Sequence, residues 1–238
     1  MLELKNITYE IEESGNRKKV LDNVSCSFLS GEFVAITGHN GSGKSTLTKI
    51  IMGIAQPTSG VILFNGIDIT NMKIDERANL GINYAFQQPV SFVGLTVKDL
   101  IDIATGKENT IPEACKYLSK VGLCAKEYVN RNFDKTLSGG EQKRIELALA
   151  LAKKGECLIF DEPEAGIDMW SFEKLNQLFS EKQTRIIVSH QENLIKNADR
   201  ILVMANGKVE MFDKTETVLK NLPSAVCGVI KSSEVKNG

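Results

Sequence analysis

The sequence predicts an α/β fold in which a mainly parallel sheet is accompanied by an antiparallel β subdomain and a helical lobe. Three patterns predict it: a pair of strands at the N-terminus, strands that alternate with helices on both sides of the chain's middle, and a run of helices between them. We expect a single domain over 1–238, in which 1–87 and 155–238 form the core with its β subdomain and 88–154 form the helical lobe.

The first elements form a hairpin and then a strand that runs into a glycine-rich loop. LELKNITYEI and KVLDNVSCSFL predict antiparallel strands around a polar turn at 12–19, which contains a glycine. EFVAITG predicts a buried strand, and the glycine-rich loop follows it. A helix is predicted from Lys44 to about Gly53. This order of strand, loop and helix is the context that a phosphate-binding loop requires.

The later elements follow the same alternation. VILFNG predicts a strand and turn, DERANLG a short helix, and INYAF a strand that ends at Gln87. Three helices are predicted from TVKDLIDIAT, IPEACKYLSKVGL and SGGEQKRIELALALAKK. CLIF and RIIVS predict strands on either side of a helix at about 169–181. ILVMANGKVEMF predicts a hairpin with Asn206 and Gly207 at its turn.

Composition and charge argue against several classes of protein. The 29 Lys and Arg against 30 Asp and Glu give a formal charge of −1, so no global basic field attracts nucleic acid. MLELKNITYE alternates like a strand and does not resemble a signal peptide. Apolar runs such as CLIF and RIIV are far shorter than the ~20 residues of a membrane helix. We therefore expect a cytoplasmic protein with no nucleic-acid partner and no direct membrane insertion.

The cysteines do not form a recognisable framework. They include no C-x-x-C pair and no neighbouring histidine, which argues against disulfides and against zinc. Reduced thiols of a cytosolic protein are the favoured interpretation. The five are Cys26, Cys115, Cys124, Cys157 and Cys227.

The string GHNGSGKST at 38–46 predicts a site for nucleotide phosphates. Its glycines let the backbone pass close to the phosphates, and the helix that follows points its unpaired N–H groups at them. We expect Lys44 to bridge the β- and γ-phosphates and Ser45 to bind Mg²⁺ through its hydroxyl. A glycine-rich turn with an exposed lysine is the alternative, and it explains the full string poorly. The candidate nucleotide-binding residues of this loop are Gly38, His39, Asn40, Gly41, Ser42, Gly43, Lys44, Ser45 and Thr46.

Two carboxylates and a histidine are expected at the same end of the sheet. CLIFDEP delivers Asp161 and Glu162 to the end of a strand, where Asp161 would hold Mg²⁺ and Glu162 would polarise the attacking water. A helix-capping acidic pair is the alternative. His190 follows RIIVS, the next predicted strand, at the end where the phosphate loop also lies. A lone histidine is more often structural, but this placement favours a catalytic role.

The string LSGGEQ at 137–142 predicts the start of a helix. Ser138 and Glu141 have the spacing of a capping box. Gly139 and Gly140 expose N–H groups without side-chain obstruction, so this helix end can also receive a phosphate.

These strings, with Gln87 in YAFQQP and Asp168 in AGID, resemble the ABC ATPases. The resemblance implies a P-loop NTPase core of ABC ATPase type, with ATP and Mg²⁺ as cofactors and ATP hydrolysis as the activity. It implies an ATP-dependent homodimer in which one subunit's signature residues contact the other's ATP, with Asp168 at the junction. Those residues are Ser138, Gly139, Gly140 and Glu141.

The resemblance also assigns roles to single positions. His190 would contact the γ-phosphate and hold the attacking water in line. Gln87 closes a strand, and its amide oxygen can reach Mg²⁺, although an exposed strand-end glutamine is the alternative. Many family members place an aromatic ring against adenine where this chain has Ile11, with Tyr9 two residues away, so nucleotide selectivity stays open.

Within the family, three stretches resemble the ATPase subunit of the Suf-type iron–sulfur cluster assembly system: ERANLGINYAFQQPVSFVGLTV, LSGGEQKRIEL and DEPEAGIDMWSFEKL. This implies a soluble iron–sulfur scaffold protein of Suf B type that docks on the groove around 86–95 and is reshaped by ATP-driven dimerisation. The first alternative is the nucleotide-binding subunit of an ABC membrane transporter, whose groove takes a helix from a membrane protein. The second is an ATP-binding switch with little turnover, against which Glu162 and His190 argue.

Overall fold

The computed structural model describes residues 1–13, 15–85, 92, 94–163 and 183–221. The strands of this part are β1 Leu2–Glu13, β2 Asn16–Phe28, β3 Phe33–Gly38, β4 Ser59–Phe64, β5 Ile67–Asp68, β6 Ile82–Ala85, β7 Cys157–Asp161, β8 Thr184–Val188, β9 Arg200–Ala205 and β10 Lys208–Lys214. The helices are α1 Lys44–Met52, α2 Ile74–Asn79, α3 Val97–Thr105, α4 Ile111–Lys120, α5 Ala125–Tyr128, α6 Gly139–Ala152, α7 Glu192–Lys196 and α8 Thr215–Lys220.

The strands form two sheets, as the predicted fold class requires. A four-stranded sheet has the order β2-β1-β4-β5, with antiparallel neighbours. A six-stranded sheet has the order β10-β9-β3-β8-β7-β6, and its neighbours are parallel except for the β9–β10 hairpin. The predicted parallel core and antiparallel β subdomain are both confirmed. The carboxyl ends of β3, β7 and β8 therefore lie at one edge of the core sheet.

The N-terminal hairpin is tighter than the sequence predicts. The turn was expected over 12–19, but Glu12 pairs with Arg17 and Glu13 pairs with Asn16, so both strands continue almost to Gly15. Gly15 has φ 78°, which suits a tight turn. Across the hairpin, Lys18 Nζ lies 2.9 Å from a carboxylate oxygen of Glu13, a contact between exposed side chains that adds little stability.

Two apolar clusters cover the faces of the core sheet. Alternate residues of β3 belong to different clusters, with Phe33 and Ala35 on one side and Val34 and Ile36 on the other. Because both faces are covered, the whole strand is buried, which accounts for its continuous apolar sequence. The first cluster contains buried residues of the helical lobe, and the second contains buried residues of α1 and of the antiparallel sheet.

The helical lobe contains the three helices that the sequence predicts. Capping boxes begin α3 at Thr96 and α4 at Thr110, and the helices pack through buried residues such as Leu118 and Ile145. The helices α5, α7 and α8 were not predicted, and each has only four to six residues. Asn206 and Gly207 form the predicted turn of the β9–β10 hairpin, with φ values of 48° and 75°.

Some sequence predictions concern residues that lie outside the described ranges. They are most of the docking groove around 86–95, the helix at 169–181, Gln87, Asp168 and Cys227. Burial raises the pKa of the Cys157 thiol to about 12, so this side chain is an inert part of the core. Across the described ranges, every helix falls short of the length and apolar character that a bilayer crossing demands.

Candidate active site

The glycines of the phosphate loop, residues 38–46, allow it to lie against neighbouring strands. Gly38 ends β3 with φ 142°, and a Cβ there would lie 2.1 Å from the carbonyl oxygen of Met204. Gly43 precedes α1 with φ 99°, and a Cβ there would lie 2.6 Å from a methyl group of Leu21. Side chains at these positions would force the loop away from the strands. The loop therefore needs glycine for close approach as well as for positive φ.

Lys44 points back into the concave side of this loop. Its Nζ donates hydrogen bonds to the carbonyl oxygens of Gly38 at 2.8 Å and His39 at 2.9 Å, and the side chain is almost fully buried. Burial lowers the pKa of Lys44, while the charges of Glu162 and Asp161 oppose that shift. The ammonium group is thus held where a phosphate oxygen would meet it.

Ser42 supplies a second indication that the loop is built for an anion. Ser42 is 3% exposed, and its Oγ has no hydrogen-bond partner among the described residues. A buried hydroxyl without a partner costs free energy, so a ligand oxygen in the loop would compensate for it. The loop therefore fits the phosphates of a nucleotide.

Asp161 ends β7, beside the first turn of α1. Its Oδ1 accepts a hydrogen bond from Ser45 Oγ at 3.0 Å, and its Oδ2 accepts one from Tyr84 Oη at 2.9 Å. A hydroxyl and a carboxylate at this separation are oxygen donors of the kind that Mg²⁺ prefers. The structure therefore brings together Ser45 and Asp161, the two described residues that were predicted to hold the metal.

Glu162 and His190 face each other across the same cavity. Glu162 has φ 47°, and its backbone amide donates to the carbonyl of Val188 at 3.0 Å, which turns the chain at the end of β7. His190 Nε2 lies 3.8 Å from Glu162 Oε1. Burial and the charge of Lys44 lower the pKa of His190, while Glu162 raises it and His39 lowers it further. His190 is therefore mostly neutral at pH 7.

A cavity of about 480 Å³ contains Lys44, Ser45, Glu162 and His190, whereas Ser42 and Asp161 do not line it. It is lined by Val20, Asn40, Gly41, Gly43, Lys44, Ser45, Thr46, Glu162 and His190. The sequence analysis missed Val20, which precedes the buried Leu21 on β2 and could have been found only from the pairing of that strand with the loop. Tyr9 packs against the core instead of lining this cavity, and Ile11 does not line it either.

The signature residues lie at the start of α6. Ser138 caps the helix by accepting a hydrogen bond from the Glu141 amide at 3.3 Å, and Glu141 accepts one from the Ser138 amide at 2.7 Å. The predicted capping box is therefore present. Space beside Gly139 is open, because a Cβ there would meet no atom within 4 Å. Neither Gly139 nor Gly140 lines the cavity around Lys44 of the same chain.

Comparison with known proteins identifies the family. A family model described as "ABC transporter" matches residues 21–165. The chain is 38% identical over 210 residues to an uncharacterised ABC transporter ATP-binding protein of Methanocaldococcus jannaschii, covering 82% of each chain. It is 38% identical over 237 residues to the energy-coupling factor transporter ATP-binding protein EcfA1 of Mycoplasma mobile, covering 93% of this chain and 82% of the relative.

A solved structure shares the fold and carries the products of hydrolysis. The dimeric post-hydrolysis state of the ATP-binding cassette MJ0796 bound to ADP and Pi gives a TM-score of 0.81 at 29% identity, covering 90% of this chain and 99% of that chain. The relatives named above are transporter proteins, so they support the predicted transporter alternative better than the Suf-type assignment, which they do not support. The chain belongs to the ABC transporter family and is an ATPase that uses ATP and Mg²⁺.

Proposed function

We propose that this chain is the ATP-hydrolysing subunit of a membrane transporter of the energy-coupling factor kind. The observation that supports it best is the naming of its relatives, which are ATP-binding proteins of transporters and match it over most of its length. The cavity that contains Lys44, Ser45, Glu162 and His190 supports the hydrolytic part of the proposal.

The residues of the cavity divide the chemistry among them. Lys44 and the loop amides would hold the phosphates, and the Ser42 hydroxyl would gain its missing partner there. Ser45 and Asp161 would hold Mg²⁺, which neutralises charge on the phosphate oxygens when it is bound. Gln87 is proposed as a further ligand of this metal.

Glu162 would accept a proton from the attacking water, and His190 would orient that water toward the γ-phosphate. The 3.8 Å between His190 Nε2 and Glu162 Oε1 lets both groups reach one water molecule or phosphate oxygen. A neutral His190 can donate from one ring nitrogen and accept at the other, which suits a positioning role at pH 7.

We further propose that two copies close head to tail around two ATP molecules. The N-terminus of α6 has open space at Gly139, and neither Gly139 nor Gly140 lines the cavity of its own chain. Ser138, Gly139, Gly140 and Glu141 of one copy would then contact the γ-phosphate bound by the other. Asp168 would lie at the junction between the copies.

The membrane partner would dock in a second, mostly apolar cavity of about 450 Å³ between the core and the helical lobe. Its lining residues are Met52, Ile74, Asn83, Tyr84, Phe92, Ala104, Phe133, Glu146, Leu149, Ala150 and Lys153. Ile74 and Phe92 are 45% and 43% exposed and line the same cavity, so together they offer apolar surface to a partner. An apolar helix of a membrane protein is the occupant that transport requires.

Affinity capture with a matched pair of variants tests this assignment. The double variant Ile74→Glu, Phe92→Glu places charge at the cavity mouth, whereas Ile67→Glu alters an isoleucine of similar exposure, 47%, outside the lining. Wild type and Ile67→Glu should recover a polytopic membrane protein from detergent-solubilised native membranes, and the double variant should not. Recovery of a soluble, cysteine-containing scaffold instead would contradict the transporter proposal.

A further inference from the structure

Tyr84 reaches the metal carboxylate from the neighbouring strand. It lies on β6, which pairs in parallel with β7, and its hydroxyl donates to Asp161 Oδ2 at 2.9 Å. Ser45 Oγ donates to the other carboxylate oxygen at 3.0 Å. Each oxygen of Asp161, a residue that is 2% exposed, therefore accepts a hydrogen bond from a different element of the fold.

These two hydrogen bonds define the plane of the carboxylate. The torsion that rotates an aspartate carboxylate is broad and nearly two-fold, so packing alone fixes it weakly. With Tyr84 on Oδ2, the Oδ1 atom is directed at Ser45, where Mg²⁺ is expected.

The same hydroxyl also contacts the helix that carries the second metal ligand. Tyr84 Oη lies 3.3 Å from Thr48 Oγ1, and Thr48 Oγ1 donates to the carbonyl oxygen of Ser45 at 3.0 Å. One phenol thus touches Asp161 directly and the first turn of α1 through Thr48. Tyr84 therefore links Asp161 to the backbone of Ser45, the residue whose hydroxyl is the second expected metal ligand.

We propose that Tyr84 is a positioning residue for the magnesium ion, because its hydroxyl holds the Asp161 carboxylate in the orientation that binds metal. This inference rests on the ATPase activity and on the contacts of Tyr84, and it does not depend on the transporter assignment. Loss of the hydroxyl weakens metal binding while leaving the phosphate loop intact. Nucleotide affinity without metal is therefore unchanged.

The variant Tyr84→Phe tests this inference, because it keeps the ring and removes only the hydroxyl. Mn²⁺ affinity of the nucleotide-bound protein is measured by electron paramagnetic resonance, and ATP affinity in EDTA is measured by equilibrium dialysis. We expect Mn²⁺ to bind about tenfold more weakly, the size of one lost hydrogen bond to a charged group, and the Mg²⁺ concentration for half-maximal ATPase to rise in parallel. ATP affinity in EDTA should match wild type.

Two controls separate positioning from general damage. Tyr117→Phe removes the hydroxyl of a partly buried tyrosine in the helical lobe and should leave metal affinity unchanged. In an Asp161→Asn background, Tyr84→Phe should cause no additional loss of Mn²⁺ affinity, because the carboxylate it positions is absent. Wild-type Mn²⁺ affinity in Tyr84→Phe, an equal loss of ATP affinity in EDTA, or a full additional loss in the Asp161→Asn background would overturn the inference.

Discussion

Replacement of Arg77 by methionine should destabilise the protein strongly, because this arginine binds the C-terminal carbonyls of α1, the helix that follows the phosphate loop. Arg77 lies on α2 and is 0% exposed. Its guanidinium donates to four backbone carbonyls, those of Ile50 at 2.6 Å, Ile51 at 2.7 Å, Thr70 at 2.8 Å and Met72 at 3.0 Å. Two of these belong to the last turn of α1, where carbonyls lack helical partners and a cation is favourable.

The size of the effect follows from these contacts. Arg77→Met leaves four buried carbonyls without the guanidinium, and each hydrogen bond to a charged donor is worth about 1.5–3 kcal/mol in isolation. The losses are not additive, since the loop around residues 70–72 can relax toward water, so we expect about 3–5 kcal/mol in total. For a chain of this length, that corresponds to a fall of about 6–20 °C in the unfolding midpoint.

Thermal unfolding followed by fluorescence, repeated in urea, measures this loss. Arg77→Lys should lie between Arg77→Met and wild type, because one ammonium group cannot span four carbonyls. Arg17→Met, at an exposed position of β2, is the matched control and should change the midpoint by less than about 2 °C. The reasoning from these four hydrogen bonds is refuted if Arg77→Met has the same unfolding midpoint as Arg17→Met. It is also refuted if Arg77→Lys has the same midpoint as wild type.

Three further predictions concern the cavity. Glu162→Gln should still bind ATP, but its hydrolysis rate should fall at least about 100-fold, so that an ATP-bound dimer accumulates in size-exclusion chromatography. Hydrolysis at the wild-type rate would contradict the proposed role of Glu162 as the base. Gly38→Ala should abolish ATP binding in equilibrium dialysis, because the new Cβ would lie 2.1 Å from the Met204 carbonyl oxygen. Since the pKa of His190 is lowered on folding, the unfolded chain binds that proton more readily and stability falls as the pH drops through about 6.5. His190→Gln should make the fall in unfolding midpoint between pH 7.5 and 5.5 shallower, and an unchanged slope would contradict this.

The sequence predicted most of the site because its parts are local. The residues at 38–46, Asp161 with Glu162, and His190 each stand at the end of a strand whose apolar run is visible in the sequence, and parallel pairing brings those ends together. Their chemistry depends on residue type and spacing, which the sequence contains.

Tyr84 and Arg77 could not be predicted in the same way. Tyr84 is 77 residues from Asp161, and Arg77 is 27 residues from Ile50, so their roles arise only when strands and helices pack. Both residues stand in a stretch that was used for the family resemblance, but that stretch does not show which groups the two side chains contact. The comparisons favour transport, the sequence-based alternative, over iron–sulfur assembly. The stretches used for that choice adjoin the motifs of the shared ATPase engine, so they carry little information about the partner.

The left-handed backbone conformation of Glu162 sets thermal stability against activity when this residue is substituted. Among the described residues, the non-glycine positions with positive φ are four asparagines, which tolerate that conformation, and Glu162. A glutamate there carries strain of about 1–2 kcal/mol, which glycine would release. Selection for heat resistance alone would therefore favour replacing the very side chain proposed to activate water. Thermal stability and ATP hydrolysis therefore favour different residues at position 162.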